Sequence, residues 1–433
     1  MRFRRLRNRL AASALAVLLV ASGSASASAA DEPSSWWYDA YGIGAIHAEG
    51  WTGKGVKIAV IDGNINPDLP SFSGRNLTVD ARSLCAEYPL PTTTEVTGDS
   101  VHGTTLVAHI IGTGDGPGAI KGIAPDADVT FYSYGTREGE ACTASEFADT
   151  LSSGALAIQR AVDGGAQIVT TSVLDSPRSG DADVVANAIA KGVILISATS
   201  NPTTPKGKGL DGFRGVLNIS AVDQAGALQK TADGSPFALA WTTLVAPGVD
   251  LPTIGRVGGS WTQSVAASGS SFAAPLVAGM MALTKQKYAD ATGNQLLQSA
   301  IHNTGKDDHE LIYDSASGFG YGLAWPAHLL RESPSQYPNE NPLLSRGDPQ
   351  PTDADIEAAA QRGFTYPPAV QADSPQGPAA PRSGDDSPQN ASTAMSWLLP
   401  IAVAALAVAV LAGAVITLVV VTRTRRNRTG AAR

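Results

Sequence analysis

Four short segments of this chain hold the residue types that nucleophilic catalysis uses, and each is ambiguous alone. VKIAVID runs apolar to a carboxylate, so Asp62 would stand at the carboxyl edge of a sheet, where open α/β folds gather ligands and catalysis. By itself such an aspartate caps the following turn about as often. Only six histidines are present, at 47, 102, 109, 302, 309 and 328, so general bases are scarce. His102 opens HGTTLVAHIIG, whose small residues let a helix pack closely while the imidazole sits at its accessible start. His109, seven residues further on and on about the same helical face, reads as a packed residue. In GSSFAAPLVAG, residues 269–279, Ser271 would begin an apolar helix. The unpaired N–H groups and the dipole of such a terminus suit an oxyanion and the nucleophile that generates it. A lone serine there would be an ordinary N-cap. VILISATSN sets Asn201 just past a strand end, where its amide NH₂ could donate to the same oxyanion, although an isolated Asn there is usually a turn residue.

The elements that must position these groups alternate along residues 42–330, the pattern of an α/β domain with a mainly parallel sheet. Strands are predicted at 56–62, 128–135, 167–173, 192–199 and 215–223, and helices near 103–112, 144–163, 182–191, 272–288 and 294–303. From residue 331 to 395 the composition turns to Pro, Ser, Gly, Asp and Gln, which predicts a disordered tether, with a short helix around ADIEAAAQR.

With 433 residues, 43% of them hydrophobic, the chain can bury a large core, and its net charge of -8 argues against a nucleic-acid partner. The charge is uneven. Residues 1–30 hold five Arg and no acid, residues 423–433 hold five more and no acid, and the acidic middle is left with 21 basic against 39 acidic groups. Arg2 to Arg9 precede an apolar run and the small-residue stretch SGSASASAA, so residues 1–30 read as a signal peptide. Trp397 to Val421 is 25 residues without a charge, about 37 Å of helix, and a basic tail follows directly. This predicts a transmembrane helix at 396–422, a cytoplasmic tail at 423–433, and a membrane-anchored body at 31–330 facing away from the cytoplasm. In that oxidising compartment Cys85 and Cys142 would form one disulfide. No CxxC, HExxH or Cys/His cluster suggests zinc.

Together the four segments resemble the subtilisin-like serine proteases, the subtilase family, over roughly residues 42–330. AVIDGNI resembles the family's Asp motif, VHGTTLVA its His motif and GSSFAAPLVAG its Ser motif, in the family's order; TGKGVKIAVID, GIAPDADV, VAPGVD and GFGYGLAWPA also match. The resemblance implies the subtilisin-like three-layer fold and acyl transfer by a triad of Asp62, His102 and Ser271, with Asn201 and the Ser271 N–H holding the oxyanion. It implies a protein or peptide substrate passing Ser172 and Val173. It implies no cofactor in the chemistry; structural calcium, which the family often holds, is not located by these motifs. Three departures stand out: Thr199-Ser200 where the family has Ala-Gly before the oxyanion Asn, Ser172-Val173-Leu174 in place of Ser-Leu-Gly beside the peptide path, and Val107-Ala108 in place of Ala-Gly.

Within the family the layout is similar to that of mycosins, the membrane-anchored proteases of actinobacterial type VII secretion systems. Signal peptide, short extension, peptidase domain, Pro-rich tether and single C-terminal helix are the shared features. This implies a secretion complex as a partner. The departures leave a second expectation open, a catalytically weak pseudoprotease or scaffold subunit of such a complex.

Overall fold

The strand Lys57–Asp62 alternates its side chains between two cores, Ile58 and Val60 facing one, Ala59 and Ile61 the other. A strand apolar on both faces belongs inside a parallel sheet covered by helices on each side. The structure, a computed structural model, describes residues 34–367 apart from 86–88, 135–146, 148–149, 174–175 and 205–208. The strands of its main sheet are β1 (Lys57–Asp62), β2 (Leu77–Val79), β3 (Asp128–Ser133), β4 (Ile168–Thr171), β5 (Ile194–Ala198), β6 (Leu217–Val222) and β7 (Leu244–Pro247). Their order is β2-β3-β1-β4-β5-β6-β7, and every neighbouring pair is parallel. After β3 the chain crosses to the other side of β1, so the topological switch falls between β1 and β4, where the carboxyl ends open a crevice.

The helices are α1 (Trp36–Ala40), α2 (Ile43–Ala48), α3 (Gly98–Ile111), α4 (Ser153–Asp163), α5 (Asp181–Ala190), α6 (Ser270–Lys287), α7 (Gly293–His302), α8 (Pro326–Arg331) and α9 (Asp353–Arg362). One core joins α1, α2, α3, α6, α7 and α8 to the sheet, and a second packs α4 and α5 on the opposite face. This is the three-layer α/β architecture expected from the sequence. Helix α6 is buried continuously from Ser270 to Thr284, which explains why its sequence is apolar all round.

The five predicted strands and five predicted helices are present, with α4 starting at Ser153 rather than near 144. Short β2 and β7 and the helices α1, α2 and α8 carry too little periodicity to be read alone. The folded body also continues past residue 331, where a tether was expected. Leu343 is buried, α9 packs on α5, Ile356 and Phe364 join the second core, and Tyr366 Oη donates to Asp163 Oδ2 at 2.8 Å. The segment is poor in apolar residues, yet it needs no core of its own because each of these side chains seats on a surface already formed. Cys85 is buried, while Cys142, and with it the expected disulfide, lies outside the described residues. The expected signal peptide, the transmembrane helix at 396–422 and the basic tail also lie outside them. Among the described residues no helix is long and apolar enough to cross a membrane.

Candidate active site

Asp62 ends β1 at the carboxyl edge and is 2% exposed. His102 sits in the second turn of α3, whose start is fixed by a capping box between Thr97 and Ser100. The next residue sets how closely the two can approach. A Cβ at Gly103 would lie 2.5 Å from the Asn64 carbonyl oxygen and 3.1 Å from the Phe131 ring, so any side chain there would push α3 off the turn that follows Asp62. With glycine in place, His102 Nδ1 donates to Asp62 Oδ1 at 2.8 Å, and the Gly63 N–H donates to the same oxygen at 2.8 Å. A carboxylate partner requires the proton on Nδ1, which leaves Nε2 with its lone pair free to act as a base.

The ring is packed on one side and open on the other, its side chain 32% exposed. Burial disfavours the imidazolium, but the charge and hydrogen bond of Asp62, helped by Asp99 one turn earlier, outweigh it and raise the His102 pKa. Phe272 packs against the ring with centroids 5.8 Å apart. Asp62 Oδ2 is buried without a hydrogen-bond partner among the described residues.

Ser271 occupies the second position of α6, whose N-cap is Gly269 and makes no side-chain cap. Of the first three N–H groups of the helix, that of Ser270 goes to Asn201 Oδ1 and that of Phe272 to the Gly269 carbonyl, so the Ser271 N–H is the one left for a negative charge among the described residues. Pro275 lies inside the helix and has no N–H to offer the carbonyl of Ser271 four residues earlier. The Ser172 hydroxyl supplies the missing donor, reaching the Ser271 carbonyl oxygen at 3.1 Å. Ser172, expected on the substrate path, thus holds the backbone of Ser271, while Val173 lies next to it, packed partly against the second core. Leu174, expected beside the peptide path, lies outside the described residues. No hydrogen bond joins Ser271 Oγ to His102 among the described residues. Catalytic hydroxyls often make that contact only with substrate in place.

Asn201 follows β5, and its Oδ1 accepts the Ser270 N–H at 2.8 Å. A backbone donor can be met only by the oxygen of the carboxamide, so Nδ2 must point the other way. The structure thus joins the four expected positions in two pairs at the carboxyl ends of the strands: Asp62 with His102, and Asn201 with the residue before Ser271, while Phe272, the residue after Ser271, packs on the His102 ring. Ser270, Phe272 and Asp99 were not singled out as contributors. Ser270 and Phe272 flank Ser271 in the sequence, and that adjacency was the one signal that could have found them. Among the described residues no group of three or more His, Cys, Asp or Glu side chains could hold a metal ion, so the calcium sites left open by the sequence are not located here either.

The model of the subtilase family matches residues 53–322. The thermostable alkaline protease of Halalkalibacterium halodurans is 29% identical over 258 residues, which are 58% of this chain and 63% of that protein. Subtilisin of Bacillus sp. is 27% identical over 328 residues, 68% of this chain and 73% of its own length. Among solved structures, MycP1 from the ESX-1 type VII secretion system has a TM-score of 0.54 at 20% identity, covering 72% of this chain and 88% of that one. Fervidolysin from Fervidobacterium pennivorans has a TM-score of 0.51 at 22% identity, covering 70% of this chain and 47% of its own. At these identities the structural likeness is one of fold.

Proposed function

Because this chain belongs to the subtilase family of serine endopeptidases, we propose that it hydrolyses peptide bonds through Asp62, His102 and Ser271, from a membrane anchor outside the cytoplasm. Ser271 Oγ attacks the scissile carbonyl carbon as His102 Nε2 takes its proton. Asp62 holds the ring in the Nδ1–H tautomer and stabilises the imidazolium that forms. The carbonyl oxygen, now negative, accepts from the Ser271 N–H at the start of α6 and from Asn201 Nδ2. His102 returns the proton to the leaving amine, and water, activated by the same imidazole, releases the acyl group. Val173 flanks the bound peptide.

The observation that carries this reading is the 2.8 Å hydrogen bond between His102 and the buried Asp62, with Phe272, the residue after Ser271, packed on the same imidazole. The anchor rests on the 25 uncharged residues from Trp397 to Val421 and the arginines after them. The mycosin-like layout, together with a fold shared with a protease of a type VII secretion system, supports a place beside such a complex. Thr199-Ser200 before Asn201 and Leu174 beside the expected peptide path, where the family has small residues, favour the alternative of a catalytically weak subunit. Labelling of the detergent-solubilised full chain with a fluorophosphonate probe separates the two. Wild type should label and Ser271→Ala should not; an unlabelled wild type beside a labelled active relative would overturn the enzymatic reading.

A further inference from the structure

Asn201 can stabilise an oxyanion only while its amide stays turned with Nδ2 toward the negative oxygen, and the structure shows what holds its other end. Ser270 holds Oδ1 through its N–H at 2.8 Å, with its hydroxyl oxygen 3.2 Å from the same atom. The same hydroxyl reaches the carbonyl oxygen of Thr199. From Thr199, just past the end of β5, a line of hydroxyls runs over β6 to the residues before β7. Thr199 Oγ1 lies 2.9 Å from Ser220 Oγ, which lies 2.8 Å from Thr242 Oγ1, and Thr199 Oγ1 is also 3.2 Å from the Ile219 carbonyl oxygen. One proton order serves this line: Thr242 donates to Ser220, Ser220 to Thr199, and Thr199 to the Ile219 carbonyl, while the Ser270 proton goes to the Thr199 carbonyl. All the hydroxyl-bearing residues are buried, Thr199 at 3%, Ser220 at 4%, Thr242 at 0% and Ser270 at 1% exposure, so an unmade bond could not be replaced by water from bulk.

We propose that Thr199 is a positioning residue for the oxyanion donor: its hydroxyl, linked to Ser220 and Thr242, pins the end of β5 to β6 and fixes the carbonyl that seats Ser270, which in turn orients the Asn201 amide. This rests on the reading of Asn201 as an oxyanion donor given above. It also gives a physical role to a position where the chain departs from the Ala-Gly-Asn of its family. An alanine there could hold β5 only by its backbone, whereas threonine adds a side-chain tie to the next strand.

Steady-state kinetics of the full chain on a peptide substrate test this. Thr199→Val keeps the shape and removes the hydroxyl, so kcat should fall about 3- to 10-fold with KM within about twofold, and Thr199→Ser should restore it. In an Asn201→Ala background, already slower by about a hundred- to a thousandfold, Thr199→Val should cost nothing more in kcat. If Thr199→Val does not fold, as judged by circular dichroism, Ser220→Ala takes its place with the same expected pattern. An unchanged kcat in the variant, a loss carried by KM, or a loss that persists in full without Asn201 would overturn the assignment while leaving the protease reading intact. A wild type that neither labels nor cleaves would remove both together.

Discussion

Helix α3 carries two histidines seven residues apart, and the molecule treats them in opposite ways. His102, near the start, is partly open and bonded to Asp62, and its pKa is raised. His109, near the end, is fully buried, and neither ring nitrogen has a hydrogen-bond partner among the described residues. Burial, and then the charge of His102, lower the His109 pKa to about 3, although the Pro252 backbone lies close enough to favour the charged form slightly. Its neighbours are the edges of Trp37 at 6.3 Å and Phe272 at 5.7 Å. Phe272 thus touches both imidazoles, and one works as packing while the other can titrate. The chemistry of each ring comes from the elements brought against α3, a carboxylate from β1 in one case and aromatic rings from α1 and α6 in the other.

That contrast can be broken at its strongest point by His102→Ala. Loss of the base should lower kcat by about a millionfold while the circular dichroism spectrum and the melting temperature stay near wild type. A variant within a hundredfold of wild type would mean that another group serves as base.

The mirror substitution sharpens the comparison through stability. His109→Phe should leave kcat within about twofold, because the ring it replaces takes no part in proton transfer. The sign of its pH effect follows from the depressed pKa. Below the ordinary histidine value of about 6.5 the unfolded chain binds a proton that the native core refuses, so wild-type stability falls as pH drops from there toward about 3. The variant lacks this slope. Urea unfolding should therefore show the variant gaining on wild type by about 2 kcal/mol between pH 7 and pH 5. Parallel pH dependences would show that His109 is protonated, or hydrated, in the native state.

The smallest effect is expected at Asp99, whose carboxylate lies over Gly63, its Cβ 2.7 Å from where a glycine Cβ would stand. Asp99→Asn removes one of the charges that favour the His102 imidazolium. Because the base must be neutral to accept the Ser271 proton, the acid limb of kcat/KM should move to lower pH with the plateau unchanged. A limb that stays in place, or moves upward, would assign Asp99 a purely structural part.

Much of the site could be read from the chain alone because each contributing residue lies at the end of an element with its own local signature. Asp62 closes an apolar strand, His102 precedes a glycine that lets its helix approach, and Ser271 opens an apolar helix. The supporting contacts could not be read that way. Ser172 was expected to face substrate, but Pro275, more than a hundred residues later, leaves a carbonyl without a donor and draws its hydroxyl inward. Thr199, Ser220, Thr242 and Ser270 are scattered over the sequence and meet only when β5, β6, the start of β7 and α6 are stacked. Apart from the short helix around ADIEAAAQR, which is α9, residues 332–367 were read as a tether for a related reason: composition measures whether a segment can fold by itself, and this one adheres to a surface made by others.

The way the body ends carries a mechanical meaning. A pull on the chain from beyond residue 367 would first load the Tyr366–Asp163 contact and the seat of α9 on α5, at the layer formed by α4 and α5. None of the reacting groups belongs to that layer; they hang from β1, β5, α3 and α6. Tension applied there would accordingly peel this outer layer before it strained the elements that carry Asp62, His102, Asn201 and Ser271.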